Sequence, residues 1–174
     1  MPNYRRLTDP GATWFFTVTL AHRHGNDLLV RHIDLLRECF AREREARPFA
    51  IVAWVVLPEH MHWLWRLPEG DADYSTRWRR IKTDFSRRLP CTEARSPVQV
   101  ARGERGLWQR RFWEHRIRDE ADLQAHVDYI HYNPVKHGWA TQTADWPHSS
   151  FAHYVARGVY TEDWAAEVGL AAGE

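Results

Sequence analysis

Residues 13–20 read TWFFTVTL, aromatic and β-branched throughout, a pattern that predicts a strand. Gly25, Asn26 and Asp27 punctuate the turn that follows. Over residues 28–46, Leu28, Leu29, Ile33, Leu36, Cys39 and Phe40 recur at helical spacing among arginines and glutamates, so an amphipathic helix is expected, closed by Pro48. Two strand-like runs, 49–56 and 61–67, flank Pro58 and Glu59 as a hairpin or as neighbouring strands. Residues 71–89 carry Trp78, Ile81 and Phe85 on one helical stripe. Residues 90–106 show no period and read as a loop, and LWQRRFWEHRI (107–117) reads as a further strand. Asp119 can N-cap a third helix over 120–132, which Asn133-Pro134 is expected to end because the residue before proline avoids the α region.

The order β-α-β-β-α-β-α lacks the strict alternation of a parallel sheet. It fits an α+β, ferredoxin-like sandwich with a central antiparallel sheet and helices on one face. The expected division is one domain over residues 1–138 and a C-terminal tail, 139–174, packed on it.

Composition narrows this only slightly. With 174 residues, 44% hydrophobic and 27% charged, the chain can bury its own core and is not a disordered sequence. A formal net charge of +1 announces no polyanionic partner. Lysine occurs only at Lys82 and Lys136, so arginine supplies the other 22 of 24 cations, and its planar fork suits phosphate; codon bias explains the same skew. Ten tryptophans exceed what a core of this size needs and favour a binding surface as well. Cys39 and Cys91 form neither a disulfide framework nor a CxxC pair. The polar start and the lack of a long apolar run suggest no membrane association and a cytoplasmic place with reduced thiols.

Two short patterns carry chemistry. His60 and His62 are two apart on an expected strand, so both imidazoles face one way and can share a divalent metal, while Met61 points into the core. The bland alternative is two polar residues at a sheet edge. Tyr129 and Asn133 are four apart on the third helix and share a face. A phenol with pKa near 10 is a weak nucleophile unless charge developing at the phosphate is stabilised nearby, and an amide oxygen can ligate Mg²⁺ or Mn²⁺. Packing in the core beside Val127 and Ile130 is the alternative for Tyr129. Tyr132 is the rival nucleophile, but its i+4 partner Lys136 lies beyond the expected helix stop.

VVLPEHMHWLW (55–65) resembles the His-hydrophobe-His motif of HUH endonucleases, and HVDYIHYNPVKHGW (126–139) resembles the tyrosine helix of the REP-associated tyrosine transposases. YRRL, GATWFFTVTL, RFWEHRIRD and DWPHSS resemble the same family, which relates to single-tyrosine transposases of small insertion sequences. The resemblance spans nearly the whole chain. It implies an HUH single-tyrosine catalytic domain over 1–138, Mg²⁺ or Mn²⁺ held by His60, His62 and Asn133, and Tyr129 as nucleophile. It further implies cutting and joining of single-stranded DNA near hairpins of repetitive extragenic palindromes, through a 5′-phosphotyrosine with release of a 3′-hydroxyl. The cell's nucleoid is then the expected place, and monomer and homodimer both stay open. Other single-tyrosine relatives carry glutamine where Asn133 stands, so the shorter side chain requires a closer helix or a bridging water.

DNA contacts are expected from the arginine-rich run 77–88, with Arg77, Arg79, Arg80 and Lys82, and from the run 102–118, with Arg110, Arg111 and Trp113 among further aromatics. Tyr4, Arg5 and Arg6 form an arm that could read bases, and Lys136 could reach a phosphate. Two other functions remain: a phosphodiesterase using activated water with Tyr129 structural, and a non-catalytic hairpin-binding protein.

Overall fold

The structure is a computed structural model, and it describes residues 8–165. A four-stranded antiparallel sheet has the order β2-β3-β1-β4 and comprises β1 (Thr13–Thr19), β2 (Ala50–Val56), β3 (His60–Arg66) and β4 (Trp113–Arg116). This is the strand order of the ferredoxin-like fold anticipated from the element pattern. Between β1 and β2 lie α1 (Leu28–Arg31) and α2 (Ile33–Ala46), the one expected helix broken at His32. Between β3 and β4 lie α3 (Tyr74–Arg87) and the short α4 (Pro97–Ala101), which interrupts the expected loop. The expected strand over 107–117 pairs as a strand only over its last part; earlier, a single bridge joins Leu20 to Trp108.

Helices cover both faces of the sheet rather than one. Every residue of β3 except Arg66 is buried, so neither face can meet water. Alternation sends Trp14, Phe16, Met61, Trp63 and Trp65 to the face covered by α2 and α3, in one aromatic core. Phe15, Val55 and Leu64 point the other way, into a second core with Val127, Tyr129 and Ile130 of α5 (Glu120–Lys136) and Phe151 of α6 (Phe151–Ala156). The two helical stretches inside the βαββαβ unit thus do share a face. The added tyrosine helix is what closes the other.

Pro134 does not end α5, which runs on to Lys136 with the proline inside its last turn. The turn is held after the proline by His137 N–H to Asn133 C=O at 3.0 Å and Trp139 N–H to Pro134 C=O at 2.8 Å. Asn133 and Pro134 are both buried, so packing against the sheet outweighs the local preference of a pre-proline residue. The tail closes the edge of β2. Val56 N–H donates to His148 C=O, Ser150 N–H to Trp54 C=O, and Trp54 N–H to Ser150 Oγ, each at 2.9 Å. Among the described residues no helix is long and apolar enough to cross a membrane.

Candidate active site and family

The site lies where β3 meets α5. Strand alternation turns His60 and His62 to the same face, and cross-strand register sets Thr19 and Thr17 opposite them on β1. Their rings are 5.0 Å apart between centroids and nearly perpendicular. Both are buried, at 3% exposure. Met61 between them is fully buried in the other core, as alternation requires.

Each imidazole is oriented by a partner on Nδ1. His60 Nδ1–H donates to Glu59 Oε1 at 2.9 Å, because a carboxylate can only accept. That leaves the Nε2 lone pair free, the carboxylate–histidine arrangement found behind metal ligands. Thr17 Oγ1 lies 2.9 Å from His62 Nδ1 and fixes that ring in the same sense when Nδ1 carries the proton. Burial works to raise the Glu59 carboxyl, but hydrogen bonds from His60, its own backbone and Arg23 win and hold it at about 2. Burial pushes His62 well below its usual value, and the nearby His60, His137, Lys136 and Arg23 act the same way, so His62 is neutral at physiological pH. A neutral imidazole is the form that binds a metal.

Tyr129 stands edge-on to His62, with centroids 5.2 Å apart, and it also meets Phe15 at 6.0 Å. The Lys136 ammonium lies over the tyrosine ring, 5.0 Å from its centroid. Two turns past Tyr129, at the C-cap of α5, His137 meets His60 with centroids 5.2 Å apart. Asn133 lies between Tyr129 and His137 in the chain, one helical turn from each, and so falls on the same stripe of α5. It is fully buried, and neither Oδ1 nor Nδ2 has a hydrogen-bond partner; nor has the buried His62 Nε2. Orphaned buried polar atoms cost about 1–3 kcal/mol each, so native proteins keep few of them. An orphaned imidazole nitrogen and an orphaned amide oxygen make up a borderline and hard donor set of the kind that suits a divalent cation.

A second cluster, His115, Asp122 and His126, brings its ligand-type atoms within 4.8 Å of one another. His115 Nε2, the Asp122 carboxylate and His126 Nδ1 are already engaged. Asp122 Oδ2 accepts from His115 Nε2 and from the Arg118 backbone N–H, each at 2.9 Å, and His126 Nδ1 lies 2.8 Å from the Asp122 carbonyl. This is a brace between β4 and the first turn of α5.

No family model matches the chain. A curated REP-associated tyrosine transposase from Escherichia coli is 50% identical over 175 residues, covering 100% of this chain and 98% of the relative. A relative of the same family name from Haemophilus influenzae is 45% identical, covering 98% of this chain and 97% of the relative. The chain belongs to the REP-associated tyrosine transposase family. A solved structure of a REP-associated tyrosine transposase bound to a REP hairpin matches with a TM-score of 0.84 at 49% identity, covering 100% of this chain and 98% of that one. The family assignment rests on full-length similarity, and the fold is shared along the whole chain.

The expected DNA contacts divide. Arg77 is buried, its guanidinium spent on Asp71 Oδ2 at 2.6 Å and on the carbonyls of Arg47, Asp73 and Pro48, so it ties α3 to the chain after α2 and is not free for a phosphate. A helix stripe read from spacing cannot reveal such an internal anchor. Arg79, Arg80, Arg110 and Arg111 are exposed, with Arg80 paired to Glu43 and Arg110 to Glu104, each at 2.9 Å. Arg79, Lys82 and Arg110 line one groove of about 650 Å³ between α3 and residues 103–112, which joins the two arginine-rich runs. Trp113 is 48% exposed on β4. Tyr4, Arg5 and Arg6 lie outside the described residues. Sequence reasoning missed Thr17, Glu59 and His137: the first needs the β1–β3 register, and the last was hidden by the expected helix stop.

Proposed function

We propose that this protein cuts and rejoins single-stranded DNA beside a hairpin of a repetitive extragenic palindrome, with Tyr129 as the nucleophile. The observation that carries the reading is the contact of Tyr129 on α5 with His62 on β3, and the buried, unpartnered amide of Asn133 one turn further along α5 supports it. Tyr129 Oη attacks the phosphorus of a backbone phosphate. A phosphotyrosine bond forms, the bond to the 3′ oxygen breaks, and a 3′-hydroxyl leaves with a proton. The phosphodiester energy stays in the covalent link, so the reverse attack reseals a strand without an outside energy source. The strand polarity follows the family resemblance.

His60, His62 and Asn133 are the residues that would hold Mg²⁺ or Mn²⁺, and such an ion polarises phosphate oxygens and offsets their developing charge. Glu59 and Thr17 hold the two imidazoles in the ligating orientation. The Lys136 ammonium beside the tyrosine ring stabilises the phenolate as its proton departs. The wall formed by Phe15, Leu64 and Ile130 keeps bulk water from competing with the phenol. The groove bearing Arg79, Lys82 and Arg110 suits the phosphates of a hairpin stem.

The test uses hairpin DNA labelled on the fragment that would stay on the protein, with Mn²⁺, followed by denaturing electrophoresis. Label that migrates with the protein is expected, and Tyr129→Phe should abolish it. Cutting that leaves only free DNA ends and survives Tyr129→Phe would assign the reaction to an activated water. Binding with no cutting at all would leave a hairpin-binding protein.

A further inference from the structure

Among the described residues, Trp113 is one of two tryptophans that are exposed, and the one joined to the nucleophile through a single ring. Its indole meets Phe15 edge-on at 5.7 Å. Phe15 in turn meets Tyr129 at 6.0 Å and stacks on His62 at 5.4 Å. An aromatic surface at the rim of the site is thus one ring away from both the attacking residue and a metal-type imidazole.

That surface is also supported from behind. Trp113 lies nearly parallel to His115, with planes 9° apart, and His115 stacks on His126 at 4.7 Å and 13°. His115 is pinned by the buried Asp122, which the Arg118 backbone N–H holds in turn. His126 stands on the first turns of α5 and touches Phe15 at 4.8 Å. One face of the indole therefore rests on a braced stack while about half its surface remains in water. Packing alone does not explain this: four other tryptophans, at positions 14, 63, 65 and 78, are 5% exposed or less. A flat ring fixed on one side and open on the other is the form that takes a nucleobase, whose stacking is indifferent to sequence.

We propose that Trp113 is a stacking platform for the base of a nucleotide that flanks the scissile phosphate. It would hold the strand so that the phosphate stays beside Tyr129. The proposal rests on the reading of Tyr129 as nucleophile and adds a positioning residue to it. The His115–Asp122–His126 brace then has a purpose beyond joining β4 to α5, since it sets the height and tilt of the indole.

The experiment places 2-aminopurine at successive positions of a hairpin oligonucleotide and records its fluorescence on binding to the Tyr129→Phe protein, with and without a Trp113 change. Quenching is expected at a nucleotide adjoining the scissile phosphate. Trp113→Leu, which keeps an apolar side chain but no π face, should relieve that quenching, and Trp113→Phe should retain most of it. With Tyr129 intact, Trp113→Leu should raise the half-saturating DNA concentration about 5- to 150-fold, the range for one base–aromatic stack. It should change the rate at saturation less. Equal quenching in the Leu and wild-type indole proteins overturns the proposal, as does Trp113-dependent quenching confined to the hairpin stem. Circular dichroism of each variant separates unfolding from loss of stacking. If Tyr129→Phe still forms the covalent adduct, the nucleophile assignment fails by itself, and the fluorescence result is still read independently.

Discussion

At the scale of single residues, the proposed metal ligand Asn133 is where function and stability are expected to oppose each other. A fully buried amide with both polar atoms unmatched is a cost to the fold. Replacing it with a similarly sized apolar group should remove that cost. Asn133→Leu is therefore expected to stabilise the metal-free protein by about 1 kcal/mol or more, about 2–4 °C in melting temperature for a chain of this size. The same change should abolish tight Mn²⁺ binding and the covalent adduct. Calorimetric melting in a chelator and titration with Mn²⁺ check the two halves. A lower melting temperature together with undiminished Mn²⁺ affinity would remove Asn133 from the site. His62→Ala should also lose Mn²⁺ binding, but with no gain in stability, since it breaks the Thr17 contact and leaves a cavity beside Phe15.

At the scale of elements, the pairing of β1 with β3 and the seating of α5 decide whether the site exists. Alternation made the common face of His60 and His62 legible, and i,i+4 spacing did the same for Tyr129 and Asn133. What neither period reveals is which strand edge lies under which helix face, because that depends on register and packing between distant segments. Thr17 faces His62 only because β1 and β3 pair antiparallel in one register. The expected stop at Pro134 failed for a related reason: a local preference worth little was outweighed by burial of Asn133 and Pro134 in the last turn of α5. The choice of Tyr129 over Tyr132 accordingly stands on contact with His62, not on the helix ending. The seating of α5 depends on Asp122, which ties the first turn to β4 through His115 and Arg118. Burial acts to raise this carboxyl, but the hydrogen bonds from His115 and Arg118 prevail and hold it well below the ordinary carboxylate range. A carboxyl depressed in the folded state stabilises the fold above its unfolded pKa of about 4, and the contribution fades as pH falls through and below that value. Asp122→Asn should thus cost about 1–3 kcal/mol at pH 7, typical of hydrogen bonds to a charged group, and progressively less below pH 4. Urea unfolding across pH 3–7 measures the difference. A gap between the two proteins that stays constant or widens toward acid would contradict it.

At the scale of the molecule, the tail covers a sheet edge that would otherwise lie open to a second chain. A sheet edge with free N–H and C=O groups is a template for another chain, and β2 would be such an edge. Residues 148–150 occupy it through the backbone of Val56 and Trp54, while Trp146 Nε1 donates to Val56 C=O at 3.0 Å and Tyr154 Oη to Val52 C=O at 2.8 Å. The same segment is locked to the tyrosine helix, since His131 Nε2 and Ser150 Oγ lie 2.8 Å apart in a buried contact and Phe151 and Tyr160 fill the second core. Burial alone pushes His131 down to about 3, so it is neutral and can accept the serine proton. With this edge already paired and the tyrosine and histidines supplied by one chain, the site needs no second copy. The intact protein is expected to be a monomer by light scattering after gel filtration. Deleting residues 139–174 should uncover the β2 edge and the apolar residues beneath α6, giving dimers or larger aggregates. An intact dimer would show that another surface drives association, and a truncated chain that stays monomeric and fully stable would show that β2 is protected without the tail. The second outcome would also separate the tail from the catalytic unit, because α5 would then hold Tyr129 against His62 without the Ser150 lock.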